Sequence, residues 1–219
     1  MVSDLGGVLT TPLRAAFEGY AEHSGVKLHE FFTALVTLSQ RDGVNPMHEL
    51  ECGRISQPQF LSALGGQLSD QLGRQINIDD FPEVWFSHLR PNHAMLTLMR
   101  RLRARGFHMG LLTNNVREWE PLWRPRLEID DIFDIVVDSG FVGIRKPDPE
   151  IYAHTVQRIS TVAERPIRPE EILFIDDVQE NVEAARAAGW RAVQFVENKG
   201  ALAAVDQALQ LSEPSRSQQ

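Results

Sequence analysis

Four polar clusters in this 219-residue chain carry side chains suited to nucleophilic displacement beside a metal ion. Asp4, in MVSDLGG, ends a short apolar stretch and opens a glycine-rich turn, a fitting place for a carboxylate nucleophile or metal ligand. Thr113, Asn114 and Asn115 follow GLL and supply a hydroxyl and two amides. Lys146, in GIRKPDPEIY, supplies a cation, and Asp176 and Asp177 follow ILFI as an acidic pair. Two residues beyond Asp4, where a second carboxylate would complete an acid–base pair, stands Gly6. Singly, each cluster has a plainer explanation: a turn, a loop start, or an N-cap at Asp177. In this order, each at a strand end, they converge on one crevice, because ligands of parallel sheets bind outside the carboxyl ends of the strands.

The elements that would place them alternate from about residue 92 onward. HAMLTLMRRLRARG puts Leu96, Met99 and Leu102 on one helical stripe and stops at Gly106. HMGLLT, FDIVV, EILFID and RAVQFV read as strands, with helices between them and a last helix from about 201 to 211. Short, wholly apolar strands such as ILFI fit burial on both faces, so the pattern predicts an α/β fold, a parallel sheet with helices on both sides. Residues 12–88 differ: LRAAFEGYAEH, HEFFTALVTLS, QPQFLSALGGQL and DDFPEVWFSHL all show helical spacing, and nothing alternates as a strand. The expected division is therefore a core of 1–11 and 89–211, an inserted helical module of 12–88, and a disordered polar tail of 212–219. Only three residues precede Asp4, short for a strand, which predicts a start upstream or a truncated strand edge.

Composition excludes several classes. A net charge of -8 argues against nucleic-acid binding, and no apolar run is long enough to span a bilayer. The first thirty residues are broken by Asp4, Arg14, Glu18 and Glu22, so no secretory signal is read and a cytoplasmic location is expected. A lone Cys52 excludes an internal disulfide. The histidines fall in no HExxH or similar spacing and are not read as zinc ligands.

The combination DLGGVL, LLTNN, SGFVGIRKPDPEIY and FIDDVQENVEAARAAG resembles the four motifs of the haloacid dehalogenase superfamily, in the subfamily with a helical cap inserted after the first motif. Within it, the chain is similar to the phosphatase-like domain fused to soluble epoxide hydrolases and to bacterial sugar-phosphate phosphatases. The resemblance implies a Rossmann-like core, a helical cap, and Mg²⁺-dependent hydrolysis of a small phosphorylated metabolite through an aspartyl-phosphate. It implies Asp4 as nucleophile, with Asp4, the Gly6 carbonyl and Asp177 on the metal, and Asp176 and Asn181 in support. Thr113, Asn114 and Lys146 would hold the phosphoryl oxygens. A monomer or homodimer is expected.

Gly6 departs from the family pattern, which places there an aspartate that protonates the leaving group. Two alternatives follow: an impaired domain that binds a phosphometabolite or a protein, and a metal-free L-2-haloacid dehalogenase. The second is disfavoured, since Asp176 and Asp177 would set negative charge beside a substrate carboxylate. Phe81, Trp85 and Phe86 read as cap core rather than a substrate cage; His48 and Glu51 fall in a cap loop near where the resemblance places substrate reading, and are not counted among the site residues.

Overall fold

The structure, a computed structural model, describes residues 1–210; the tail at 212–219 lies outside the described residues. Five strands form one sheet: β1 (Val2–Ser3), β2 (Gly110–Thr113), β3 (Ile135–Asp138), β4 (Leu173–Asp176) and β5 (Arg191–Gln194). Their order is β3-β2-β1-β4-β5, and every pairing is parallel. β1 is only two residues long, yet it lies at the centre, Val2 pairing with Gly110 on one side and Phe174 on the other.

Successive strand residues point to opposite faces, and the sheet uses both. Leu112, Val137 and Phe174 pack with Ile151, Tyr152 and Ala185 on one side. There the helices are α9 (Pro149–Val162) and α10 (Gln179–Ala187). Leu111 and Ile175 pack on the other side with Met95, Met99, Val205 and Leu209, the buried stripes of α6 (His93–Ala104) and α11 (Asn198–Gln210). This is a Rossmann-like α/β core, and the shortness of the strands costs little because β1 to β4 are largely buried on both faces.

Between β1 and β2 the chain is helical: α1 (Leu13–Ser24), α2 (Leu28–Asp42), α3 (Pro46–Glu51), α4 (Gln57–Leu72) and α5 (Phe81–His88). Ser56 and Gln59 cap α4 reciprocally, the Ser56 hydroxyl accepting from the Gln59 amide and Gln59 Oε1 accepting from the Ser56 amide at 2.8 Å. The chain leaves and re-enters the core through one antiparallel bridge between Thr10 and Pro91. The stretch holding His48 and Glu51, expected as a loop, is α3, capped by Asn45, whose side chain accepts from the Met47 amide. Two further short helices, α7 (Glu120–Leu127) and α8 (Ser139–Val142), complete the numbering; α8 follows β3 directly and was not marked by any periodicity, being a single turn.

Candidate active site

Because the strands are parallel, their carboxyl ends share one edge of the sheet. Thr113, Asp138 and Asp176 are the last residues of β2, β3 and β4, and Asp4 follows β1 directly. The Asp4 amide donates to the Ile175 carbonyl at 2.8 Å, which fixes the turn against β4. The next two glycines are not equivalent. Gly7 has φ of 75°, and a Cβ there would lie 2.2 Å from Asp177 Oδ2, so only glycine lets the turn cradle that carboxylate. A Cβ on Gly6 would meet only the Leu13 side chain, at 3.2 Å.

Lys146 is the centre of the cluster. Its Nζ donates to Asp4 Oδ1 at 2.7 Å and to Asp176 Oδ2 at 2.6 Å, and the side chain is almost wholly buried. Asp176 is saturated: its Oδ1 also accepts from the Val178 amide at 2.8 Å, and Asn181 Nδ2 donates to both its oxygens at 3.1 Å. Asn181 is fixed in turn, its carbonyl accepting from the Tyr152 hydroxyl at 2.9 Å. Asn114 clamps the main chain of Lys146, accepting from its amide at 2.8 Å and donating to its carbonyl at 2.9 Å. One amide hydrogen of Asn114 is thus left for any other partner. Thr113 is buried beneath the same opening.

The electrostatics are unbalanced. Asp4, Asp176 and Asp177 bring ligand oxygens within 4.8 Å of one another, against one ammonium. Burial pushes the Asp4 carboxyl up, Lys146 opposes that, and Asp176 and Asp177 reinforce it. Asp177 is pushed up to about 6 by burial and by Asp176. Burial works against the charge on Lys146, but Asp4 and Asp176 outweigh it and hold the ammonium protonated well above its ordinary range. An all-oxygen donor set with surplus negative charge fits a hard divalent cation.

Above this floor lies a cavity of about 730 Å³. Its walls include Phe17, Phe31 and Phe60 together with Phe81, Trp85 and Phe86, the residues expected to be cap core; they are buried and they also face the opening. The rim is apolar too: Leu13, Phe32, Val36 and Val178 line the cavity while each is at least 37% exposed. Sequence reasoning missed this chamber, and the density of aromatic residues in α1, α2 and α5 was the available signal. Polar groups from the cap are few; Glu51 is the one acidic side chain that α1–α5 contribute to the lining.

The family model described as a hydrolase, haloacid dehalogenase-like hydrolase, matches residues 1–189. The sesquiterpene phosphatase astK of Aspergillus oryzae is 36% identical over 108 residues, 46% of this chain and 48% of that protein. Bifunctional epoxide hydrolase 2 of Rattus norvegicus is 24% identical over 200 residues, 85% of this chain and 34% of that protein. The matched stretches thus span half or less of these relatives. Among solved structures, a HAD family enzyme from Bacteroides thetaiotaomicron shares the fold with a TM-score of 0.68 at 23% identity, over 92% of this chain and 96% of that one. The same enzyme is known in complex with magnesium and inorganic phosphate. Among the described residues of the present chain, no helix is long and apolar enough to cross a membrane.

Proposed function

Because the chain belongs to the haloacid dehalogenase-like hydrolase family, we propose that it is a Mg²⁺-dependent phosphatase whose substrates are phosphate monoesters bearing a bulky apolar group. The observation that carries the reading is the Asp4–Lys146–Asp176 chain of ion pairs at the floor of an aromatic cavity. A carboxylate and a fixed cation on the floor suit a small charged group and the aromatic walls suit an apolar one, which supports this reading.

In this reading Asp4 attacks phosphorus through the oxygen that Lys146 does not hold, and the ester oxygen leaves with the bonding electrons. Lys146 keeps charge on the phosphoryl oxygens compensated, and Thr113 donates to them. Asn114 acts by holding Lys146 in place. Asp4, Asp177 and the Gly6 carbonyl would hold the metal, with Asp176 and Asn181 fixing its surroundings. Bound Mg²⁺ offsets the surplus carboxylate charge and that of the phosphoryl group. The apolar walls support an amphiphilic ester, the chemistry in the name of the sesquiterpene phosphatase relative.

Gly6 favours a second reading, a domain that binds phosphate esters without turning them over. The retention of both Asp4 and the clamped Lys146 supports catalysis instead. Phosphate release from p-nitrophenyl phosphate and from a long-chain alkyl phosphate separates the two. Turnover with Mg²⁺, its loss in excess chelator, and its inhibition by Ca²⁺, whose looser shell engages both carboxylate oxygens, are the expected results. Undiminished turnover in chelator, or in Asp4→Asn, overturns the proposal.

A further inference from the structure

We propose that Glu51, from the cap, is the group that protonates the leaving oxygen in place of the carboxylate missing at position 6; this rests on the phosphatase reading above. The geometry comes from two consecutive residues. Lys146 grips Asp4 at 2.7 Å, and its neighbour Arg145 grips Glu51 Oε2 at 2.7 Å, across 94 positions of sequence. One loop therefore ties the nucleophile on the floor to a carboxylate on the roof. Displacement at phosphorus runs in line, with the leaving oxygen opposite the attacking one. Attack from Asp4, below, sends the ester oxygen toward the cap, and Glu51 is the one acid that α1–α5 contribute to the lining.

The Glu51 side chain is only 13% exposed. The bond from Arg145 to Oε2 is the one hydrogen bond of this side chain among the described residues. The charged groups around it are Arg145, Lys146 and, from the end of β3, Asp138. Burial pushes the Glu51 carboxyl up in spite of the two cations, the direction an acid needs. His48, one turn earlier on α3, is the poorer donor: partial desolvation and the neighbouring Arg145 push its imidazole down, away from the protonated form.

The step balances as follows. An Asp4 oxygen bonds to phosphorus, the phosphorus–ester oxygen bond breaks, and that oxygen takes the bonding pair and the Glu51 proton, giving the alcohol and a Glu51 carboxylate. Water then gives a proton to Glu51 as its oxygen bonds to phosphorus, the bond to Asp4 breaks, and inorganic phosphate leaves.

The test reads leaving-group dependence. Glu51→Gln is expected to lower kcat/KM on an alkyl phosphate by about a hundredfold, while p-nitrophenyl phosphate, whose phenolate leaves without a proton, changes less than about threefold. Adding Gly6→Asp to Glu51→Gln is expected to restore alkyl phosphate turnover selectively. Equal losses on both esters, with no selective rescue by Gly6→Asp, overturn the proposal, as does undiminished alkyl phosphate turnover. Should Glu51→Gln fail to fold, Glu51→Asp keeps the carboxylate: a steeper loss on the alkyl than on the aryl ester supports the proposal, and parallel losses overturn it. Wild-type protein that turns over p-nitrophenyl phosphate with Mg²⁺ while Glu51→Gln loses both esters equally leaves the phosphatase reading standing and removes this inference alone.

Discussion

The floor and the roof of the cavity are built on opposite plans. On the floor, hydrogen bonds tie side chains to one another: Asp176 is bonded to Lys146, Val178 and Asn181, and Asn114 is bonded twice to Lys146. On the roof, rings pack against rings, Phe17 edge-on to Trp85 at 4.2 Å and Tyr20 edge-on to Phe81 at 4.8 Å, with the Glu51–Arg145 pair at the junction. Hydrogen-bonded ion pairs fix positions to a few tenths of an ångström, whereas aromatic packing tolerates exchange of shape at similar volume. The proposed function therefore predicts that a small change on the floor is felt by the chemistry and a change on the roof by substrate choice.

The sharpest break of that contrast is on the floor. Asp4→Asn keeps the shape and removes the proposed nucleophile, so turnover is expected to fall at least about a thousandfold for every ester alike. Lys146→Ala is expected to cost roughly a hundredfold or more, the scale of one lost preorganised contact. It also leaves Asp4 and Asp176 buried without their cation, a loss of roughly 3–5 kcal/mol of stability. Steady-state kinetics with thermal unfolding checks both; a Lys146→Ala protein with wild-type turnover would place Lys146 outside the chemistry.

Gly6→Asp probes whether the floor lacks a part. The nearest atoms to the new Cβ belong to the Leu13 side chain, a movable one on α1, so the turn accepts it, unlike any substitution at Gly7. Turnover of alkyl phosphates is expected to rise at least about tenfold, within the range of general acid–base help. A folded, Mg²⁺-binding Gly6→Asp protein with no gain would show that the proton supply is not limiting.

The same contrast governs what was legible in the sequence. Asp4, Thr113 and the acidic pair stood out because each follows an apolar run, and a parallel sheet must bring such positions to one edge; Lys146 stood out as the cation of the GIRKPDPEIY loop beyond β3. The pair of hydrogen bonds between the Asn114 side chain and the Lys146 main chain was hidden, because the two lie 32 positions apart and the LLTNN motif marks Asn114 only as a substrate donor. The sheet order was hidden as well, since β1 has too few residues to show any pattern. For the roof, helical spacing told which side of α5 is buried without telling what it is buried against. Phe81 and Trp85 contact both the cap interior and the opening, so reading them as core was incomplete. Glu51 needed Arg145 beside it, across 94 positions, before it meant anything.

On the roof the expected effects are smaller and selective. Val36 sits at the rim and is 53% exposed, so Val36→Asp costs little stability. It sets a carboxylate in the path of an apolar chain, and KM for a long-chain alkyl phosphate is expected to rise roughly tenfold with kcat nearly unchanged, a loss of about 1–2 kcal/mol of apolar contact. p-Nitrophenyl phosphate, which ends short of the rim, should be affected much less. Equal KM changes for both esters would mean that the tail does not pass this way.

The smallest effect on turnover is expected beside the floor, at Asp138. It ends β3 on the same edge as Asp4, and its Oδ1 accepts from the Gly140 amide at 2.8 Å, but its buried Oδ2 has no partner. Burial pushes its carboxyl up to about 6, with Glu120 and Glu51 adding to the shift and the Gly140 amide and Arg117 opposing it. The folded value therefore lies above the ordinary 3.8 of an aspartate. The folded state then holds the proton more tightly than the unfolded chain, so this group's contribution is most favourable below about pH 4 and is lost as pH rises through about 6. Asp138→Asn retains the Oδ1 acceptor and removes the ionisation. Any cost of its amide hydrogens is the same at every pH, so the difference in unfolding free energy between the variant and the wild type isolates the titration. That difference is expected to shift in favour of Asp138→Asn by on the order of 2–3 kcal/mol between pH 3.5 and pH 8, with turnover on p-nitrophenyl phosphate unaltered. Denaturant unfolding across that pH range measures it. Parallel stability curves would show that Asp138 is ionised in the folded protein at no cost, and that an unpaired carboxylate is tolerated beside the floor as readily as a paired one within it.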